Sequence, residues 1–187
     1  FMDEKAMCNT LAAAKDVDGI SLASLAAVFT DAPDGFPPCT AAACVKILEH
    51  YQVPIAGKHV VVIGRSLVVG KPVSMMLLRR NASVTICHSR TENLPEISRS
   101  ADIVICATGR ARAYGREYFR TGQTVLDVGI NFDAYGKLCG DVDFEVVEPI
   151  VDAITPVPGG VGTVTTSLTM EHTVAAAEAQ LKAAQAK

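Results

Sequence analysis

The sequence has no tryptophan, only 5% aromatic residues and no C-x-x-C pair. Its six cysteines form no disulfide or metal-binding pattern, which is typical of buried free thiols in a reducing cytosol. The cysteine pattern therefore predicts a cytoplasmic protein. The four histidines are scattered without the spacing of metal ligands, so no metal site is expected.

The chain also lacks long apolar runs and a bias toward one charge. The chain has 17 Lys and Arg residues and 20 Asp and Glu residues, which give a net charge of −3. This balance argues against nucleic acid or an anionic membrane as a partner. No apolar run has the length of a transmembrane helix, and the first five residues do not resemble a signal peptide. The composition predicts a globular protein with one sizeable domain, or a domain plus a fragment.

The segment 58–72 has the strongest local pattern. A run of branched apolar residues ends at Gly64, and Pro72 suits the first turn of a helix. A strand, a glycine turn and a helix can present backbone N–H groups to a phosphate. The spacing Gly64-x-Ser66-x-x-x-Gly70 departs from the dinucleotide fingerprint at the middle glycine and by one residue before the last. Taken alone, the segment fits a nucleotide site and an ordinary strand–helix turn equally well.

Predicted strands alternate with predicted helices along the chain. The strands are expected at 59–63, 83–87, 102–106, 124–128 and 153–154; the helices are expected at 3–12, at 41–51 with Thr40 as its cap, at 71–80, from Leu94, and at about 166–182. The segment 20–40 is expected to be irregular. The strands are nearly continuous apolar runs, as in strands buried on both faces. The pattern predicts an α/β fold with a doubly wound, Rossmann-like parallel sheet.

Small or polar residues follow four of these strands. The four strand ends are Gly64-Arg65-Ser66, His88-Ser89-Arg90, Ala107-Thr108-Gly109 and Gly129-Ile130-Asn131. Ligands of such sheets bind beyond the carboxyl ends of the strands, so this succession favours a dinucleotide site.

The end of the second strand favours NADP over NAD. An NAD site usually has Asp or Glu there, whereas this chain has Ser89 and Arg90, with Arg65 on the neighbouring loop. A guanidinium and a hydroxyl can both bind a 2′-phosphate, which a carboxylate would repel. Arg90 could instead be an ordinary exposed charge.

No catalytic motif accompanies the predicted nucleotide site. None of the four tyrosines is followed four residues later by lysine, and Gly64-Arg65-Ser66-Leu67-Val68 is not a nucleophile elbow. The residues alone therefore predict a nucleotide-binding platform and leave the chemistry open. The charged segment 15–19 is, on the same grounds, an ordinary solvated turn.

Several motifs in order resemble the bifunctional methylenetetrahydrofolate dehydrogenase/methenyltetrahydrofolate cyclohydrolase family. They are Lys15-Asp16-Val17-Asp18-Gly19, Pro38-Cys39-Thr40, Val62-Ile63-Gly64-Arg65-Ser66 with Val69-Gly70-Lys71-Pro72, Cys87-His88-Ser89-Arg90-Thr91, Asp127 to Asn131, Gly140-Asp141-Val142 and Thr155 to Gly162. Together they span nearly the whole chain and are highly specific.

The resemblance implies an NADP-dependent enzyme of folate one-carbon metabolism, which serves purine biosynthesis. Gly64, Arg65, Ser66, Ser89 and Ile130 match cofactor-contacting positions of the family. Asp18 matches the carboxylate that binds the pterin of the tetrahydrofolate substrate, and Pro158, Gly159, Gly160 and Val161 match the loop that lines the cleft. The strand ends add Arg90, Thr108, Gly109 and Asn131 to the predicted cofactor site.

The sequence departs from the family pattern in two places. The glycine loop continues as Thr163-Val164-Thr165 where the family usually has Pro-Met-Thr, so the cofactor contact of Thr165 is kept while a proline is lost. The part of the family's N-terminal domain that carries its catalytic Tyr-x-x-x-Lys has no counterpart in these residues. No catalytic residue is therefore assigned, and cyclohydrolase activity is not expected of these 187 residues alone.

The resemblance also implies a division of the chain. Residues 1–22 would be the end of an N-terminal catalytic domain, 23–162 the NADP-binding domain, and 163–187 a helix that returns to the N-terminal domain. Homodimers through the Rossmann domain are common in the family. Two interpretations remain open: a fragment of a bifunctional enzyme, or a stand-alone module that binds NADP without catalysis.

Overall fold

A computed structural model describes residues 4–33 and 35–186. The helices are α1 (Glu4–Asn9), α2 (Leu22–Thr30), α3 (Cys39–His50), α4 (Gly70–Leu78), α5 (Leu94–Ser100), α6 (Phe144–Val147) and α7 (Val161–Gln185). The strands are β1 (His59–Ile63), β2 (Ser83–Cys87), β3 (Ile103–Cys106), β4 (Thr124–Asp127), β5 (Asn131–Phe132), β6 (Leu138–Cys139) and β7 (Ala153–Ile154). Two short 3₁₀ helices cover Ala13–Lys15 and Arg116–Tyr118.

Five parallel strands form the main sheet, in the order β2-β1-β3-β4-β7. Strand β1 lies between β2 and β3, so Val61 pairs with Thr85 on one side and Val104 on the other. The chain passes from β1 to β2 on one side of β1 and then from β2 to β3 on the other side. The carboxyl end of β1 is therefore the topological switch point. Strands β5 and β6 form a separate antiparallel pair. The predicted parallel α/β sheet is confirmed.

The central strands β1, β3 and β4 are buried on both faces of the sheet, to which successive side chains point in turn. Val60 and Val62 of β1 pack in a core with helices α3, α4 and α7. Val61 and Ile63 pack in a second core with residues of α5 and α6. This explains why the strands are continuous apolar runs rather than alternating ones.

Three helices correct the predicted boundaries in the first part of the chain. The segment expected to be irregular contains α2, because the Ser21 side chain accepts a hydrogen bond from Ser24 N and caps the helix. Helix α3 begins at Cys39, one residue before the predicted Thr40 cap, with Pro38 in the N-cap position. The predicted first helix ends at Asn9 rather than at residue 12, and its proposed start at residue 3 lies outside the described residues.

Helix α7 begins at Val161, five residues before the predicted start. No residue between 161 and 166 stops a helix, and the Thr163 hydroxyl donates to the Gly160 carbonyl at 2.7 Å. The segment Thr163-Val164-Thr165 is therefore helical and does not continue the glycine loop. Val161, Val164 and Leu168 pack against α3, whereas residues after Ala176 are exposed. None of the described helices is long and apolar enough to cross a membrane.

Candidate functional site

Gly64 brings the ends of two neighbouring strands together. Its φ of +133° is one that L side chains rarely adopt, and a Cβ there would overlap the carbonyl oxygen of Ala107 after β3. A Cβ on Gly70, at the start of α4, would in turn overlap the Gly64 carbonyl oxygen. The glycines flanking Ser66 thus allow β1, β3 and α4 to meet, as the spacing in the sequence suggested.

Ser66 shapes the loop between β1 and α4. Its Oγ accepts hydrogen bonds from Val69 N at 3.1 Å and from Gly70 N at 3.4 Å. Serine at the middle position of the fingerprint therefore stabilises the entry to the helix. The neighbouring Arg65 is exposed.

The loop after β2 closes on itself through His88. His88 N donates to Thr91 Oγ1 at 2.9 Å, and Arg90 N donates to His88 Nδ1 at 3.2 Å. The imidazole is thus turned back toward its own loop. Ser89 and Arg90 are left exposed at the end of the strand.

A cavity of about 620 Å³ opens beyond the ends of β1, β2 and β3. Its lining is Gly64, Arg65, Ser66, His88, Ser89, Thr91, Asn93, Leu94, Pro95, Ala107, Thr108, Arg110, Ala113, Tyr114 and Tyr118. None of these described lining residues is Asp or Glu. The volume is in the range of small-molecule sites, and the lining combines two guanidiniums, several hydroxyls and an apolar wall. The structure thus brings Gly64, Arg65, Ser66, Ser89 and Thr108 to one cavity.

Five predicted cofactor residues do not line this cavity: Arg90, Gly109, Ile130, Asn131 and Thr165. Arg110, which the sequence did not single out, does line it. The only signal for Arg110 was its position just beyond a strand-end motif. The cavity therefore differs in part from the predicted set.

Asp141 is a buried carboxylate that holds the loop after β3. Its Oδ2 accepts from Thr108 N at 2.6 Å, Thr108 Oγ1 at 3.0 Å and Gly109 N at 3.1 Å. Its Oδ1 accepts from Arg110 N at 2.8 Å and Asn131 Nδ2 at 2.9 Å. The polar groups of Thr108, Gly109 and Asn131 thus point to this carboxylate, and sequence reasoning missed Asp141 as their partner.

Asp127 interlocks with Asp141 beneath the same loop. Its carboxylate accepts hydrogen bonds from the backbone N–H groups of Gly129, Asp141 and Val142 at 2.9–3.0 Å. Burial raises the pKa of Asp127 to about 6, although these three donors act in the opposite direction. A Cβ on Gly129 would overlap Asp141 Oδ1, and a Cβ on Gly140 would overlap Asp127 Oδ2. The two glycines therefore make room for two crossed carboxylates.

The glycine loop that precedes α7 lines a smaller cavity of about 170 Å³. Its lining includes Pro158, Gly159, Gly160 and Val161 together with Ile130. A Cβ on Gly160 would overlap the Pro156 carbonyl oxygen, so this turn needs glycine. The structure thus places Ile130 beside the predicted substrate loop.

Thr165 lies one turn into α7. Its hydroxyl donates to the Val161 carbonyl at 3.1 Å, and it lines neither cavity. Its predicted cofactor contact would therefore have to form from the side of the helix.

A second buried carboxylate, Asp16, holds the loop that carries Asp18. Asp16 accepts from Ile20 N at 3.1 Å, Ser21 N at 2.8 Å and Ser24 Oγ at 2.7 Å. Burial alone would raise the pKa of Asp16, but these hydrogen bonds outweigh it and lower the pKa. Asp18 itself is exposed. The first aspartate of the motif is structural, and the second is available to a ligand.

The Asp18 loop is also tied to α7. The Val17 carbonyl contacts His172 Nδ1 at 2.8 Å and accepts from Cys39 Sγ at 3.2 Å. Phe36 stacks on the His172 ring with centroids 4.8 Å apart. Because His172 stands 155 residues from Val17, no local pattern could have predicted this contact.

The thiols are buried rather than paired. All six cysteines lie in the described residues and are free, and five are buried. Burial is the largest cause that raises the pKa of Cys39, which keeps the thiol protonated. In the parts of the chain that are described, no group of three or more His, Cys, Asp or Glu side chains could hold a metal ion.

Comparison with known proteins identifies relatives of this arrangement. The bifunctional protein FolD of Carboxydothermus hydrogenoformans is 55% identical over 179 residues, which are 95% of this chain and 62% of that protein. The crystal structure of FolD from Campylobacter jejuni superposes with a TM-score of 0.92 at 38% identity, covering 95% of this chain and 63% of that one. The Trypanosoma brucei enzyme, complexed with NADP cofactor and inhibitor, has a TM-score of 0.89 at 34% identity, covering 96% and 64%.

The chain spans 62% to 64% of the length of the curated relatives it matches. The family model for the tetrahydrofolate dehydrogenase/cyclohydrolase NAD(P)-binding domain matches residues 38–181. This match includes β1 to β7, the cavity beyond β1 and most of α7. The chain therefore belongs to the tetrahydrofolate dehydrogenase/cyclohydrolase family and contains its NAD(P)-binding domain.

Proposed function

We propose that the chain binds NADP in the cavity beyond β1, β2 and β3. The observation that carries the proposal is the charge of the lining, which has two guanidiniums and no carboxylate among its described residues. A carboxylate after the second strand would bind the ribose hydroxyls of NAD and repel a 2′-phosphate. Ser89 stands at that position, and Arg65 lines the same cavity.

The residues of the cavity fit such a cofactor. Gly64 lines the cavity without a side chain to fill it, and Arg65, Ser66 and Ser89 can donate hydrogen bonds to phosphate oxygens. When bound, NADP supplies the hydride acceptor of a dehydrogenase. Arg90 is exposed between Ser89 and Thr91, which line the cavity, and Ile130 lines the cavity of the glycine loop.

The proposed site depends mainly on the loop shape that Thr108, Gly109 and Asn131 maintain, because their hydrogen-bond donors are bound to Asp141. Thr165 remains part of the proposed cofactor site through its position behind the glycine loop. Its contact with a ligand would compete with its hydrogen bond to Val161.

We further propose that the chain serves an enzyme that oxidises 5,10-methylenetetrahydrofolate with NADP and hydrolyses the methenyl product to 10-formyltetrahydrofolate. The relatives that support this are bifunctional proteins, and they are longer than this chain. Asp18 would bind the pterin, because an exposed carboxylate on a fixed loop can accept two of its N–H groups. Pro158, Gly159, Gly160 and Val161 would line the cleft that holds the reacting carbon near the nicotinamide.

The exposed side of α7 supports the proposed division of the chain at residues 22 and 162. Met170, Val174 and Leu181 are each more than half exposed and share one side of the helix. In longer relatives this stripe would pack against the additional domain. The intact mass of the protein from its source tests this, because a mass near 19.7 kDa would favour the stand-alone NADP module.

We also propose that the protein is cytoplasmic and forms a homodimer. Leu22 and Phe29 of α2 and Leu67 and Val68 of the loop before α4 are exposed apolar residues on adjacent elements. Such a patch is typical of an interface between protein chains. Sedimentation equilibrium should give twice the chain mass, and a monomer at all concentrations would contradict the dimer.

The NADP proposal is tested by titrating the chain with NADP and with NAD at the same ionic strength. We expect the dissociation constant for NADP to be lower by about tenfold or more, because a 2′-phosphate gains charge-assisted hydrogen bonds. The control is the same titration at high salt, where the difference should shrink. Equal affinities for the two dinucleotides would contradict the proposal.

A further inference from the structure

Arg110 places a second cation in the cofactor cavity. It follows β3, whereas Arg65 follows the adjacent strand β1, and both line the same 620 Å³ space. The Arg110 side chain is exposed, and no carboxylate of the described residues forms an ion pair with it. A guanidinium in a cavity without a carboxylate partner is available to an anionic ligand.

The backbone that carries Arg110 is fixed by the fold. Its N–H donates to Asp141 Oδ1 at 2.8 Å, and the two preceding residues donate to Oδ2 of the same buried carboxylate. The loop therefore needs little ordering when a ligand binds, which lowers the entropic cost of the contact.

Arg110 and Tyr114 line the same cavity. Burial is the largest cause that raises the pKa of the Tyr114 phenol, and the charge of Arg110 acts in the opposite direction. Tyr114 also lines the cavity and donates to Thr108 Oγ1 at 3.1 Å. The guanidinium thus lies within electrostatic range of the cavity wall.

The lining indicates which phosphate Arg110 can reach. The cavity includes Ser89 and Arg65, but it does not include Val69, Gly70 or Lys71 at the N-terminus of α4. A dinucleotide pyrophosphate is expected at that helix end, and the 2′-phosphate is expected near the end of β2. The cavity that Arg110 lines therefore includes the position expected for the 2′-phosphate and does not include the helix end expected for the pyrophosphate.

We propose that Arg110 is a specificity-determining residue that, together with Arg65 and Ser89, binds the 2′-phosphate of NADP. This inference rests on the proposed NADP function. It assigns cofactor selectivity to the loop after β3 as well as to the loops after β1 and β2.

The test uses Arg110→Ala in the 187-residue chain, titrated with NADP, NAD, adenosine 2′-monophosphate and adenosine 5′-monophosphate. We expect about tenfold weaker binding of the two ligands that carry a 2′-phosphate and less than about twofold change for the other two. Arg110→Lys keeps the charge without the planar fork and should recover part of the loss.

The matched control is Arg116→Ala, which removes the same charge from an exposed residue that does not line the cavity. It should leave all four affinities within about twofold, because solvent screens an exposed charge that does not line the cavity. Thermal unfolding of each variant confirms that the fold is unchanged.

Two results would overturn the inference while leaving the NADP proposal intact. One is an equal loss of NAD and NADP affinity in Arg110→Ala, which would indicate contact with the adenine or the pyrophosphate. The other is no loss in Arg110→Ala while Arg65→Ala weakens NADP. If the unmodified chain did not prefer NADP to NAD, the NADP proposal would fail and the inference with it.

Discussion

The cofactor side and the substrate side of this chain are built by the same device but differ in enclosure. On the cofactor side, buried Asp141 fixes the loop that presents Arg110. On the substrate side, buried Asp16 fixes the loop that presents Asp18. The first loop faces a cavity of about 620 Å³, whereas Asp18 lines neither that cavity nor the one beside the glycine loop.

This difference indicates what the chain can do alone. Three strand ends surround the cofactor cavity, so a phosphate there meets donors from several directions. Asp18 is exposed, and the cavity that the glycine loop shares with Ile130, of about 170 Å³, is below the usual size of a small-molecule site. We therefore expect dinucleotide binding by the chain alone, while tight folate binding would need a second wall.

The rigid base of the cofactor side is tested by Gly140→Ala. A Cβ there would overlap Asp127 Oδ2, and three backbone N–H groups hold that carboxylate in place. We expect the free energy of unfolding to fall by about 3 kcal/mol in chemical denaturation. Gly162→Ala is the control, because a Cβ at this position would meet no atom within 4 Å and the φ of Gly162 is not positive.

The control should be neutral or slightly stabilising, since alanine favours a helix more than glycine does. A loss below about 1 kcal/mol in Gly140→Ala would show that the two carboxylates rearrange easily. The contrast between a rigid cofactor side and an open substrate side would then be lost.

The selectivity of the cofactor side for NADP over NAD is tested by Ser89→Asp. The new carboxylate would face a phosphate dianion, so NADP affinity should fall by about 100-fold, while NAD affinity should change by about fivefold at most. Isothermal titration with both dinucleotides measures this. Arg65→Ala should have the same sign with a smaller effect, because it removes an attraction without adding a repulsion.

Ser83→Asp is the matched control for that experiment. Ser83 is exposed at the opposite end of β2, so the substitution adds the same charge to the same strand far from the cavity. It should leave the ratio of NADP to NAD affinity unchanged. Equal losses of both dinucleotides in Ser89→Asp would place the 2′-phosphate elsewhere.

Much of the cofactor side was predictable because its signals are local. The apolar run of β1 ends at a glycine, and parallel strands necessarily bring their carboxyl ends to one edge. Arg65, Ser66 and Ser89 could therefore be assigned from their distance to a strand end. The sequence has glycines at 129 and 140, but no local pattern explains why. The reason is that two carboxylates cross at these glycines.

The remaining features depend on contacts between distant parts of the chain. Asp141 lies 33 residues after Thr108, so no local pattern could predict that the Thr108 donors point to its carboxylate. Helix α2 was missed because Pro33, Gly35, Pro37 and Pro38, which follow it in the segment 20–40, made the whole segment look irregular. The contact of His172 with Val17 links the two ends of the chain and has no sequence pattern.

The substrate side is tested by Asp16→Asn. The asparagine keeps one acceptor but turns an NH₂ group toward donors, so unfolding free energy should fall by about 2 kcal/mol. NADP affinity should not change, because Asp16 does not line the cofactor cavity. Asp31→Asn at the other end of α2 is the control: its exposed ion pair with Arg79 should contribute less than about 0.5 kcal/mol.

The pH dependence of that difference separates a charge effect from a packing effect. The pKa of Asp16 is lower in the folded chain than its ordinary value of 3.8, so its ionised form stabilises the fold. The stabilisation is complete above pH 3.8 and is lost as the pH falls through the folded pKa. The gap between the unmodified chain and Asp16→Asn should therefore shrink in acid. A gap that stays constant to the lowest pH at which both fold would show that Asp16 acts through packing alone, and a loss of NADP affinity would show that the two sides are coupled.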